Sequence, residues 1–168
     1  MRRLVLAAVL AATAALPAAA LAGPAAPPVP GDIAVPDGHK PYLIAHAEGV
    51  QIYECTPSAA WRLVAPRATL TGENGKVVAS HYGGPTWEAR DGSAVKAARD
   101  AGVAGAPGAV DWLRLKATST TDGRLAATTY IQRIDTVGGV APAGSCTAGA
   151  SAEVPYTADY VFFKATGS

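Results

Sequence analysis

Glycine and proline interrupt this sequence so often that long helices are excluded over most of its length, with eighteen glycines and thirteen prolines in 168 residues. From Lys40 onward no amphipathic pattern reaches the twelve or so residues that a stable helix wants. What stands between the breaks is short and β-prone. Trp112–Ala117 is the clearest case, because Leu113 and Leu115 alternate with Arg114 and Lys116, giving one apolar and one wet face. Tyr156, Ala158, Tyr160 and Phe162 likewise share one face of Tyr156–Phe163, which is placed to close the sheet. Tyr42–Ala47 and Val50–Thr56 flank Glu48-Gly49, read as a tight hairpin, and Trp61–Ala65, Lys76–Tyr82 and Thr128–Ile134 supply further strands. Glu73-Asn74-Gly75 is a second hairpin-turn signature. Ala101–Ala109 and Val137–Ser151, rich in glycine, alanine and proline, read as loops. The pattern predicts one all-β domain, an antiparallel β-sandwich or β-barrel with long Gly/Ala/Pro loops.

The amino terminus carries an export signature. Arg2 and Arg3 precede an apolar run from Leu4 to Leu16, small residues follow, and no acidic residue occurs before Asp32. Ala20-Leu21-Ala22 places the cleavage between Ala22 and Gly23, with cuts after Ala18 or Ala20 as alternatives. The run is short for a membrane span, and no cysteine beside it offers a lipid anchor. The expected organisation is a signal peptide over 1–22, a Pro/Ala-rich linker over 23–39 and a single β domain over 40–168. Loss of Arg2 and Arg3 takes the fourteen basic residues to twelve against thirteen acidic ones, a formal charge of −1. A polyanion binder needs a basic surplus or stripe, so nucleic acid is excluded as an expected partner.

Cys55 and Cys146 are the two cysteines, both downstream of the signal and so bound for a compartment where disulfides persist. The sequence predicts that they pair. Closing a loop of 91 residues is worth about 4–5 kcal/mol by chain-entropy reasoning. A metal site built on them lacks companions, since neither lies in a CxxC or near a histidine.

Several blocks are recognisable in order along the chain. They are Gly49-Val-Gln-Ile-Tyr-Glu-Cys55, Trp61 with Ala65-Pro66, and His81-Tyr-Gly-Gly-Pro-Thr-Trp-Glu88 with Asp91-Gly-Ser93. Tyr130-Ile-Gln-Arg133, Thr136 to Cys146 and Val154-Pro-Tyr-Thr-Ala-Asp-Tyr160 follow. Together they resemble the exported family known as domain of unknown function 3455. The resemblance covers nearly the whole mature chain and implies a secreted or periplasmic protein of bacteria or fungi. It brings no activity, cofactor or catalytic residue to carry over.

No HExxH, phosphate-binding glycine loop, GxGxxG or GxSxG is present, and the scattered acids give no calcium loop. Neither a metal nor another cofactor is expected. Among the histidines, His39 reads as a solvated loop residue and His46 as a hydrogen-bonded strand residue. His81 opens the one block that concentrates chemistry, with Tyr82, Trp87, Glu88 and Asp91 around Gly83-Gly84-Pro85. These five are the candidate ligand-binding residues, since aromatic faces stack on flat ligands and a glycine pair lets a ligand approach the backbone. The competing reading is structural: a bulged strand with Trp87 in the core and Asp91-Gly92 as the next turn. Trp61 and Trp112 read as core or sheet-face residues and Arg133 as an exposed charge. The preferred function is a non-catalytic binding or envelope module outside the cytoplasm, its partner a small molecule, a glycan or an envelope component. The alternative is a small β-barrel hydrolase or isomerase using His81 with Glu88 or Asp91 as acid and base.

Overall fold

Alternation of inward and outward side chains along each strand, with antiparallel neighbours throughout, closes the chain on itself. The computed structural model describes residues 23–167. The predicted signal peptide lies outside the described residues. Eight strands follow one another around a closed barrel, each antiparallel to the one before. They are β1 (His39–Cys55), β2 (Trp61–Gly72), β3 (Val77–Tyr82), β4 (Thr86–Ala89), β5 (Ala94–Val103), β6 (Trp112–Thr120), β7 (Thr128–Gly138) and β8 (Ser151–Ala165). β8 returns to β1 in a register running from His39 opposite Ala165 to Glu54 opposite Ser151, so each strand has a neighbour on both sides, although β2 before Ala68 and β5 after Ala97 pair on one side alone. The all-β expectation holds, and of its two forms the barrel is the one adopted. The final strand closes the sheet as its pattern required. No helix among the described residues is long and apolar enough to cross a membrane.

The expected hairpin at Glu48-Gly49 does not form. β1 runs straight through both residues, with Gly49 opposite Ala68 on β2 and Tyr156 on β8. A Cβ at Gly49 would overlap the Arg67 carbonyl oxygen and Ala68. The glycine therefore serves close approach of the neighbouring backbone, and not a turn. β2 likewise continues past Ala65, carrying Pro66 opposite Gln51. The turn at Asn74 is present: the Asn74 side chain accepts from the Lys76 N–H at 3.1 Å, and Gly75 has φ 73°. Of the first expected loop, Ala101–Val103 belong to β5 and the connection begins at residue 104. The second loop stands between β7 and β8, and the Cys55–Cys146 disulfide pins it to the end of β1 with the Cα atoms 5.8 Å apart. Backbone bonds from Cys55 to Ala150 (2.8 Å) and from Gly149 to Cys55 (3.0 Å) support the same junction.

Inside the barrel, alanines at 45, 47, 68, 79, 97 and 158 make room for Trp87, Tyr160 and Phe162, so small and large side chains tile the interior. A second apolar cluster lies on the outer face, where Ile134, Val161 and Phe163 are covered by Ile33. Ile33 is 0% exposed. It is held by a bond from the Gln132 amide to its carbonyl at 2.8 Å and by Arg114 donating to the Ala34 carbonyl. Within the 23–39 stretch, Val29, Ile33 and Val35 thus pack against the barrel wall.

Candidate functional site

The His81–Asp91 block folds as two hairpin corners, and strand alternation divides its side chains. Gly83, Gly84 and Pro85 make the turn between β3 and β4. Gly84 takes φ 74°, a left-handed conformation that favours glycine. The Thr86 hydroxyl reaches the Gly83 and Gly84 carbonyls, each at 3.1 Å. His81 and Trp87 face each other across the two strands and both point inward. Their rings stack at 4.1 Å between centroids and 8° between planes. Tyr160 meets both edge-on, at 5.3 and 5.4 Å. His81 Nδ1 lies 2.8 Å from the Thr86 carbonyl; a carbonyl only accepts, so Nδ1 carries the proton and donates. Burial, offset in part by that bond and reinforced by the Arg133 charge, lowers the His81 pKa to about 4. The imidazole is neutral at ordinary pH.

Tyr82 and Glu88 point the other way. On the outer face the Tyr82 hydroxyl donates to the Glu88 carboxylate at 2.7 Å, a bond that raises the tyrosine pKa. Asp91 sits at the opposite end of the barrel from Gly83–Pro85, in the turn between β4 and β5. Its carboxylate accepts from the Ser93 N–H (3.0 Å), the Ser93 hydroxyl (2.6 Å) and the Arg124 N–H (2.8 Å). Ser93 Oγ in turn accepts from the Leu125 N–H at 3.1 Å. The Ser93 and Arg124 bonds hold Asp91 at a pKa of about 2, and the whole is a clasp between two turns. The five candidates thus fall in three places: the structure pairs His81 with Trp87 inside the barrel and Tyr82 with Glu88 on its outer face, and sets Asp91 apart from both.

Those two line a cavity of about 240 Å³ near the end of the barrel that carries the disulfide, with Gln51, Leu63, Pro66, Pro85, Arg99, Leu113, Leu115, Arg133 and Tyr160 completing its wall. Every one of the eight strands contributes to that wall. The lining is mostly apolar, and its polar groups are unusual in one respect. The Gln51 amide nitrogen and the Trp87 indole nitrogen are buried without a hydrogen-bond partner. Gln51 and Trp87 are each 1% exposed, and a buried donor left unpaired costs about 1–3 kcal/mol. Arg133, expected to be an exposed charge, is half-buried and faces inward. It lies opposite Leu113 on β6 and Tyr160 on β8, with its guanidinium on the Asp111 carbonyl at 3.0 and 2.9 Å. Gln51, Arg133 and Tyr160 escaped the sequence reading; Arg133 shares a strand face with Ile131, and that alternation was the available signal. The Tyr53 hydroxyl donates to the Gly139 carbonyl at 2.7 Å, tying the β7–β8 connection to β1 at this end.

The other histidines are outside this site. His39 opens β1, and its Nδ1 lies 2.9 Å from the Thr129 hydroxyl, so it is not a free loop residue. His46 lies opposite Asp159 on the outer surface, with 2.8 Å between Nδ1 and the carboxylate. Among the described residues no group of three or more histidine, cysteine, aspartate or glutamate side chains is arranged to hold a metal.

Fold and cavity define a class: a disulfide-linked, eight-stranded up-and-down barrel whose interior opens into a small apolar cavity. The chain belongs to the DUF3455 family, described as a protein of unknown function, whose model matches residues 36–164. No curated protein and no solved structure matches it.

Proposed function

We propose that this protein is a non-catalytic binding module that works outside the cytoplasm and takes a small, mostly apolar molecule into the mouth of its barrel. One observation carries the reading: a mostly apolar cavity, lined from every strand, has the half-buried Arg133 guanidinium on its wall. An apolar enclosure with a polar group on its wall is the usual make-up of a small-molecule site. The cavity volume falls just under the roughly 300–1,000 Å³ of drug-sized sites. A small molecule fits better than a glycan, because Trp87 is buried and offers no exposed stacking platform. The export reading is supported by the leader sequence and by the disulfide.

The acid–base alternative lacks geometric support. Glu88 lies across the barrel wall from His81, Asp91 lies at the other end, and both carboxylates are engaged elsewhere. The test of the binding reading is thermal-shift and calorimetric titration with small amphipathic compounds, comparing the natural chain with Leu63→Trp. Leu63 lines the cavity yet is 49% exposed, so a larger side chain there blocks the mouth without overfilling the core. Saturable binding of one molecule per chain, lost in Leu63→Trp while the fold persists, is the expected result. Binding that ignores Leu63→Trp places the site elsewhere and defeats the proposal.

A further inference from the structure

We infer that the ligand of this cavity is an amphipathic monoanion, a carboxylate at one end of a short aliphatic or aromatic body, with the carboxylate received by Arg133. The inference rests on the cavity being a binding site and adds the chemistry it selects. The Arg133 guanidinium carries five N–H donors; its bonds to the Asp111 carbonyl and the Tyr160 hydroxyl leave others for an oxygen acceptor. The charged side chains of the lining are Arg99 and Arg133, and no aspartate or glutamate joins them. The Asp111 carboxylate pairs with Arg99 at 3.3 Å, whereas Arg133 donates to the neutral Asp111 carbonyl and to the Tyr160 hydroxyl. None of the ion pairs among the described residues includes Arg133.

A partly buried guanidinium set among apolar walls binds a carboxylate far better than it binds a neutral hydroxyl, and repels an ammonium. His81 is neutral and contributes stacking surface, not charge. The remaining wall, from Leu113, Leu115, Pro66 and Tyr160, suits an apolar body. The limited volume favours a medium chain or a single aromatic system.

The experiment titrates the natural chain and its variants with decanoate, decanol and decylamine by calorimetry and thermal shift. Decanoate is expected to bind about tenfold or more tightly than the other two, the margin of one charge-assisted hydrogen-bonded contact. Arg133→Gln is expected to lower decanoate affinity to the level of decanol while leaving decanol unchanged. Arg133→Met, which keeps the apolar stem and drops the charge, is expected to weaken decanoate to the same level, and it keeps the test open if Arg133→Gln does not fold. Equal binding of all three compounds, each abolished by Leu63→Trp, overturns the anion preference and leaves the cavity reading standing. Decanoate binding unaffected by Arg133→Gln or by Arg133→Met overturns the assignment of the headgroup site. No saturable binding of any of the three overturns both readings.

Discussion

His81 is a buried base held uncharged, and that fixes how its contribution to stability varies with pH. Its folded pKa of about 4 lies below the ordinary 6.5, so the unfolded chain takes up the proton first as the pH falls. Stability therefore rises with pH between about 4 and 6.5, is complete above that window and has lost this contribution below it. The displacement corresponds to about 3 kcal/mol at most. Urea midpoints measured from pH 7 to pH 4.5 are expected to fall in the natural chain and to stay flatter in His81→Phe, which keeps a ring against Trp87 and cannot titrate. Equal slopes in both would mean that another group controls acid sensitivity. Asp91, held at about 2 by its hydrogen bonds, loses its stabilising effect only below its ordinary 3.8, so the two windows separate. Beside it, Trp87 supplies volume more than polarity. Trp87→Ala is expected to cost about 3–5 kcal/mol as a cavity opens in the core, read as a sharp drop in melting temperature, whereas Trp87→Phe should cost clearly less because it also removes the unpaired N–H.

At the scale of the element, strands whose alternation is carried by large residues could be read, and those built on alanine could not. β6 and β8 announce their faces through leucine, tyrosine and phenylalanine, and every residue so marked is buried, although Val161 and Phe163 on the other face of β8 are buried too, under Ile33. β5 places Val95 and Ala97 inward with Lys96 between them, but its remaining alanines give little hydrophobic contrast. Glycine carried two meanings that sequence does not separate: a left-handed turn at Gly75 and Gly84, and a close approach of backbones at Gly49. The site was legible in half for a related reason. Alternation says that His81 and Trp87 share a face, but only closure of the barrel tells which residues from β1, β7 and β8 meet them, so Gln51, Arg133 and Tyr160 stayed hidden. Gly49→Ala distinguishes the two glycine meanings. With the Arg67 carbonyl and Ala68 in the way, it is expected to cost about 1–3 kcal/mol by overpacking between β1 and β2, measured by denaturant unfolding; an exposed turn would have tolerated the change.

For the whole molecule, closure is completed by β1 against β8, and the disulfide sits at the end of that seam, which is also the end with the cavity. Chain-entropy reasoning applies to a loop of 91 residues and gives about 4–5 kcal/mol, a large share of what holds a domain of this size together. The native junction does not depend on the sulfurs alone, because Cys55 also exchanges backbone bonds with Gly149 and Ala150. The barrel should therefore keep its strand order when the bond is removed, and the change should fall mainly on the unfolded state and on the 139–150 connection. That connection is tied over the cavity end by the Tyr53 hydroxyl on the Gly139 carbonyl and by the bridge between Ala109 and Gly139. Replacing both cysteines with alanine is expected to lower the urea midpoint by the equivalent of about 4 kcal/mol. Hydrogen exchange is expected to rise in residues 139–150 well before it rises in β1 or β8. Intact mass before and after reduction of the exported product, expected to begin at Gly23, checks that the bond is formed at all. Uniform loss of protection around the whole barrel would show instead that the disulfide holds the seam itself closed.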